Sequence, residues 1–458
     1  MPVSPHNHGT ELRRWQLWLY AFLALPHAFV VMPLNIVLPA FYAAHTNVTL
    51  AQVALVLTLG RLFDAVLDPL VGILSDRTKS PLGRRKPWVL AGVLTCAVAF
   101  IFLFQPPQDA GIGYFALWSG LVFLGFSFFE IPRGAWTTEL SRDYLERSRI
   151  QSLVGGFNIA GSLIFWALPL LLAGITGTLA VTGLSLTGIS WLYALLMPAG
   201  VLLAVRLVPN GHDPRDAPTR LADFLRTLRG NRPLWRFLAL IAFWGLGNGA
   251  FTGTIYIFVE DYLGLAAVFP PLMILLFTVQ IVSLPLWLRV VRRLGKHRTW
   301  ALAMICEVAA RPLVLFVGTH DNVSMPLLFA VILLIAFFSA PANFAAAAIL
   351  GDVVDYDLMK SRVNKAGRFF ALYILLVKVT MALGAGAALL LLDSSGYVVG
   401  GANGATANRG LLFCYLILPA LCWIASTVLA WTFPITARRH AVIRKGLERQ
   451  AAAALARG

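Results

Sequence analysis

The chain has 458 residues, of which 59 % are hydrophobic and only 13 % charged, and it carries a formal net charge of +16. A soluble domain is roughly 25 % charged, so this composition excludes a soluble globular protein and points to an all-helical integral membrane protein. Cys96, Cys306, Cys414 and Cys422 stand singly in apolar stretches, which suggests neither a disulfide framework nor a metal cluster.

Crossing a bilayer takes roughly 20 apolar residues per helix. The first such run covers 15–42, holds His27 beside Pro26 and also Asn35, and continues as a full span without the cleavage site of a secretory signal. The second, 51–75, places Arg61, Asp64 and Asp68 at i, i+3 and i+7, which is one face of a helix. A basic loop with Asp76 and Gly83-Arg84-Arg85-Lys86 follows. Runs 88–107 and 113–137 come next, the latter carrying Glu130, Pro132 and Arg133, and after it the chain reads Glu139 through Asp143, Tyr144 and Arg149. Runs 151–174, with Asn158, and 187–207 complete a first set of six.

The polar stretch from Pro209 to Arg236 reads as a linker. Beyond it lie runs 237–259, 267–288 with Gln280, 299–318 with Glu307 and Arg311, and 325–349 with Asn343. Asp352, Asp355, Tyr356 and Arg362 follow, then run 368–391 with Tyr373 and Lys378, and run 411–434. The expected organisation is an N-terminal six-helix bundle over 1–208, a linker over 209–236, a C-terminal six-helix bundle over 237–437 and a basic tail over 438–458.

Lys and Arg collect in alternate loops and in both ends of the chain, whereas the opposite loops offer only Arg409. Basic loops mark the cytoplasmic side, so both termini are expected in the cytoplasm. The net charge is then a set of loop anchors facing anionic headgroups, and no nucleic-acid partner is expected. Corresponding loops of the two halves also match: the second and eighth runs lead into Gly83-Arg84-Arg85-Lys86 and Gly295-Lys296-His297-Arg298, the fourth and tenth into Asp143-Tyr144 and Asp355-Tyr356. Parallel six-helix repeats of this kind are a transporter plan.

Charges inside hydrocarbon are costly enough to face a cavity or one another. Asp64 and Asp68, one turn apart with Arg61 beside them, suit a coupling-ion site; the alternative is a closed Arg61–Asp64 pair that merely holds the fold. Glu307 and Arg311 can pair within their own helix, and Arg311 is also a candidate for the substrate. Lys378 has no acidic neighbour in sequence, so its partner comes from another helix, the substrate or desolvation. His27 is as well suited to packing as to binding, and Tyr373 and the embedded amides are lesser candidates. Asp76, Arg84 and Arg85, with Asp143 and Arg149 and with Asp355 and Arg362, are expected to hold one face of the transporter shut until rigid-body rocking breaks their contacts; a topology signal alone is the alternative. No ATP-binding loop and no His-Asp-Ser combination occur, so the chain is expected to use an ion gradient and not to be an enzyme.

The run Arg61-Leu-Phe-Asp64-Ala-Val-Leu-Asp68-Pro69, continuing through Asp76-Arg77 and Gly83-Arg84-Arg85-Lys86-Pro87-Trp88, resembles the signature of the glycoside–pentoside–hexuronide:cation symporters, a branch of the major facilitator superfamily. The resemblance implies a twelve-helix fold in two six-helix bundles, alternating access and no cofactor. It implies cation coupling at Asp64, Asp68, Arg61, Lys378 and Ser127, and substrate binding at Glu130, with His27, Tyr373 and Arg311 as further cavity candidates. Leu67 and Ile374 stand where sodium-using members carry neutral oxygen ligands, which favours a proton over sodium. Ala28 and Gly134 replace an acid and an aromatic platform used for neutral sugars, so a sugar acid, another organic anion or a lysolipid-like amphiphile fits as well as a sugar. The expected partners are a small-molecule substrate and the lipid bilayer, with the protein working as a monomer in a bacterial inner membrane. An exporter of amphiphiles, or a non-transporting receptor or assembly factor, would keep the same fold.

Overall fold

The structure is a computed structural model that describes residues 13–140, 144–210, 231–319, 322–362 and 366–455, and among them there is no strand. Among the described residues twelve helices are long and apolar enough to cross a membrane. They are Arg14–Ile36, Leu50–Arg77, Lys86–Phe104, Ile112–Thr137, Arg149–Thr176, Gly183–Leu207, Arg232–Tyr262, Ala266–Leu294, Lys296–Phe316, Met325–Ser361, Ala366–Ser394 and Ala405–Trp431. These are referred to as the first to twelfth spans. Leu171, Ile175 and Phe316 are more than three-quarters exposed, as expected where the solvent is lipid and leaving an apolar side chain uncovered costs nothing.

The chain divides into two compact units, one of Met1–Val48 with Leu59–Asp216 and the other of Thr49–Thr58 with Ala217–Gly458. Most of the expected linker falls on 211–230, outside the described residues.

Each unit is held by helices whose backbones nearly touch. In the first, a Cβ on Gly92 would meet the Gly125 carbonyl oxygen and the Phe129 nitrogen, binding the third span to the fourth. In the second, a Cβ on Gly249 would meet the main chain of Met381, and one on Gly384 the main chain of Leu246. Small residues at such crossings are the membrane's substitute for a hydrophobic driving force between helices. Around them the cores are aromatic, with Tyr20, Trp136 and Trp166 fully buried in the first unit and Trp300 in the second.

Three boundaries differ from the hydropathy reading for local reasons. The first run is three successive helices, Arg14–Phe22, Ala24–Ile36 and Leu38–His45, with Pro33 inside the second and a proline in the opening turn of the third. The seventh span starts earlier than its apolar run, because the Asn231 side chain accepts from the Leu234 N–H at 3.0 Å and Pro233 sits in the first turn. The tenth span breaks before Ala342 and then runs as helix to Ser361. Its last turns are acidic, so hydropathy stops at the membrane surface while the helix does not.

Candidate functional site

In the first unit the first, second and fourth spans bring most of the membrane-embedded polar candidates together. Arg61 Nη1 lies 3.6 Å from Asp64 Oδ2, its Nη2 donates to Asn35 Oδ1 at 3.0 Å, and its guanidinium carbon is 4.9 Å from the centre of the Phe123 ring. Asp64 is buried, at 2 % exposure. One turn on, Asp68 Oδ1 accepts from Ser127 Oγ at 2.6 Å, the short separation of a charge-assisted bond. The fourth span therefore presents Phe123 and Ser127, at i and i+4, to the charged face of the second, with Glu130 following at i+7. Gly60 makes room for this arrangement, since a Cβ there would collide with the Phe123 ring.

His27 completes the group. It is buried among Phe126 and Phe129, with ring centroids 4.8 and 5.1 Å away, and its Nε2 lies 3.1 Å from Glu130 Oε1. Its Nδ1 has no hydrogen-bond partner among the described residues, although a buried polar nitrogen normally finds one. With Nε2 donating to Glu130, the neutral ring's Nδ1 is an acceptor, and a substrate hydroxyl reaching Glu130 and His27 together would supply that partner. Arg133, one turn beyond Glu130, lies over the Phe129 ring at 5.2 Å.

Arg311, Tyr373 and Lys378 belong to the second unit. Arg311 donates to Glu307 Oε1 at 2.6 Å within its own span, which is the pairing that their spacing allows. The guanidinium is wedged between Phe251 and Trp423, at 3.9 and 4.3 Å from the ring centres, while Nε and Nη1 have no hydrogen-bond partner among the described residues. Tyr373 packs on Phe237 with centroids 5.8 Å apart, and Lys378 is half-buried on the same eleventh span. Gln280 donates to Ser339 Oγ at 2.8 Å and accepts from Asn343 at 3.1 Å, so the two embedded amides form one chain between the eighth and tenth spans.

A bracket of polar contacts stands in each unit, and the gating candidates Asp76, Arg84 and Arg85 take part in the first, whereas Asp355 and Arg362 stand outside the second. In the first, Arg84 Nη2 and Arg85 Nε lie 3.1 and 2.9 Å from Glu139 Oε1; Arg85 also pairs with Asp76 and donates to Ser75 Oγ at 2.8 Å. The next residue, Lys86, donates to the carbonyls of Val205 and Val208 at 2.8 and 2.7 Å. In the second unit Lys296 Nζ lies 2.5 Å from Asp352 Oδ1, and the next residue, His297, meets the Ala430 carbonyl at 3.2 Å. Thus in each half a cation one or two residues after a positive-φ glycine, Lys296 after Gly295 at 84° and Arg85 after Gly83 at 96°, reaches an acid in the closing turns of the helix of the tenth or fourth span. Its successor ties down the last span of that half. Asp355 accepts from His440 Nε2 at 2.9 Å, Arg362 caps the tenth span in a left-handed conformation at φ 57°, and Arg149 is exposed. Asp143 lies outside the described residues.

The sequence reading did not single out Phe123 for the embedded group or Glu139 and Asp352 for the brackets. Phe123 carried a usable signal, its helical spacing with Ser127 and Glu130. Glu139 and Asp352 carried another, as acids at matching places in the two halves.

Comparison with known proteins gives the family and the fold. The profile of the family described as MFS/sugar transport protein matches residues 19–437. The chain is 26 % identical to the putative glycoside/cation symporter YagG of Escherichia coli, over 78 % of this chain and 77 % of the relative. It is 22 % identical to the sodium-dependent lysophosphatidylcholine symporter 1 of Xenopus tropicalis, over 90 % of this chain and 83 % of the relative. Among solved structures, a bacterial homologue of the human lysosomal transporter Spinster superposes with a TM-score of 0.61 at 15 % identity, over 95 % of this chain and 97 % of the other, a likeness of fold.

Proposed function

The chain belongs to the MFS/sugar transport protein family, within the glycoside–pentoside–hexuronide:cation symporter branch, and on that premise of secondary active transport we propose proton-coupled symport of a sugar, sugar acid or related organic anion by alternating access. The observation that carries this reading is the embedded set itself: two carboxylates one turn apart, Asp64 held by Arg61 and Asp68 by Ser127, next to a His27–Glu130 pair with an open ring nitrogen. Carboxylates inside hydrocarbon are costly and mark ion pathways, so the pair suits a coupled cation. Leu67 and Ile374 add no oxygen, which supports the proton. The substrate is gripped where Glu130 accepts from hydroxyls and His27 Nδ1 supplies a second polar contact.

The protein sits in the inner membrane of a bacterial cell with both termini cytoplasmic, on the strength of its basic loops. The relation to a lysophosphatidylcholine symporter favours one second reading, an amphiphile with a charged headgroup as the transported species.

The test is uptake into proteoliposomes with an imposed pH gradient, using a neutral disaccharide, a glucuronide and lysophosphatidylcholine as probes. Uptake of one probe that collapses with a protonophore and is indifferent to replacing sodium by choline is the expected result. Uptake driven by a sodium gradient with the proton gradient clamped at zero overturns the coupling ion. Substrate-independent behaviour with all three probes removes the substrate classes.

A further inference from the structure

A cavity of about 900 Å³ opens in the second unit where the seventh span begins and the twelfth ends. Arg232, Arg236 and Arg439 line it together with Trp235, Ala239 and Ile443, and no carboxylate is among its lining residues. The last wall comes from the helix Ala437–Leu455, which follows the twelfth span. Arg236 Nη1 donates to the Thr432 carbonyl at 3.0 Å and Arg439 Nη1 to the Pro434 carbonyl at 2.8 Å. Each bond uses one of the five donors of a guanidinium and fixes the plane of the fork. The cavity is thus cationic where the spans end, apolar below, and flanked by an exposed tryptophan, the residue that favours the headgroup level of a bilayer.

We propose that this cavity is a binding site for an acidic phospholipid, its phosphate held by the arginine fork and its first acyl carbons lying on Ala239 and Ile443. Guanidinium groups match phosphate bidentately, and basic recesses between helix ends at a membrane surface select anionic headgroups. A soluble anion would use the fork but gain nothing from the apolar wall, whereas a neutral lipid would use the wall but not the fork. The bound lipid joins the seventh span, the twelfth span and the terminal helix, and it is distinct from the transported substrate.

Retention of phosphatidylglycerol against phosphatidylcholine on the purified full-length chain, read by native mass spectrometry, tests the site. Each arginine lining the cavity contributes on the order of a fivefold preference. Arg232→Gln, Arg236→Gln and Arg439→Gln together should therefore lower the preference by roughly a hundredfold. Val442→Glu changes a residue that is 69 % exposed in the cavity wall, so it tests the site without disturbing a core, and it should also lower the preference. Arg438→Gln with Arg444→Gln, outside the lining, should leave it unchanged. The proposal is overturned if the triple variant and Val442→Glu both keep the parental preference, or if the control pair reduces it equally. It is also overturned if glycerol 3-phosphate displaces phosphatidylglycerol, which would make the occupant a soluble anion.

Discussion

Replacing Glu139 by Gln should destabilise the first unit by about 2–3 kcal/mol, and the size follows from what its carboxylate holds. Glu139 is buried at 4 % exposure and takes Arg84 and Arg85 on one oxygen. Breaking a buried pair by removing one partner typically costs about 3–5 kcal/mol, because the surviving charge stays buried without compensation. Here the surviving Arg85 keeps Ser75 and Asp76. The Asp76 side chain is 58 % exposed, so solvent weakens that remaining attraction. The amide of Gln still accepts one neutral-acceptor bond, which places the loss below the full range. The assay is reversible unfolding of the full-length chain in SDS followed by tryptophan fluorescence. A change within about 0.5 kcal/mol, the usual effect of a surface substitution, would refute the bracket as a structural element. The variant combining Glu139→Gln with Arg85→Gln should recover part of the loss, because it removes the uncompensated charge; a double variant no more stable than Glu139→Gln alone would refute the electrostatic cause.

Asp64→Asn and Asp68→Asn should each abolish uphill accumulation in proteoliposomes while the protein still inserts, and full accumulation in both would remove the coupling role. Gly249→Val should destabilise by about 3 kcal/mol or more, since the new Cβ meets the Met381 main chain rather than a movable side chain; unaltered SDS stability would mean that the seventh and eleventh spans do not need this close approach. Burial and the Asp261 carboxylate, which accepts from the phenol at 2.7 Å, push Tyr397 above its ordinary value of 10.0. The folded loop holds that proton more tightly than the unfolded chain, so the contribution is complete below the ordinary value and is lost as pH rises through the folded one. Alkaline unfolding should therefore be less steep in Tyr397→Phe, and identical slopes would count against the bond.

The twelve spans were legible because hydropathy reports residence in hydrocarbon directly. It does not report where a helix ends. Hydropathy therefore missed the polar first turn of the seventh span, capped by Asn231, and the acidic last turns of the tenth. In the site, Arg61, Asp64 and Asp68 could be read together because one helix supplies the spacing, whereas joining Asn35 to Arg61 or His27 to Glu130 requires knowing which spans adjoin. Arg311 illustrates the same limit. Its pair with Glu307 follows from their spacing, but the stack between Phe251 and Trp423 depends on three spans meeting.

The brackets carry the repeat further than the sequence likeness does. Arg85 and Lys296 differ in chemistry, as do Lys86 and His297, and so do Glu139 and Asp352, yet each pair occupies corresponding contacts. What the halves share is therefore a wiring plan: a tight glycine turn, a cation to an acid in the closing turns of the fourth- or tenth-span helix, and a donor to the carbonyls that close the last span. A loop whose only task was to set topology would need positive charge but no particular acid, and it would have no reason to cap the final helix of its own half. Helix C-termini leave carbonyls that need donors, and in both units the chain answers that need from the same loop. Each six-helix unit is thereby tied at one end as a body, which is what a transporter working by rigid-body rocking requires of its moving parts.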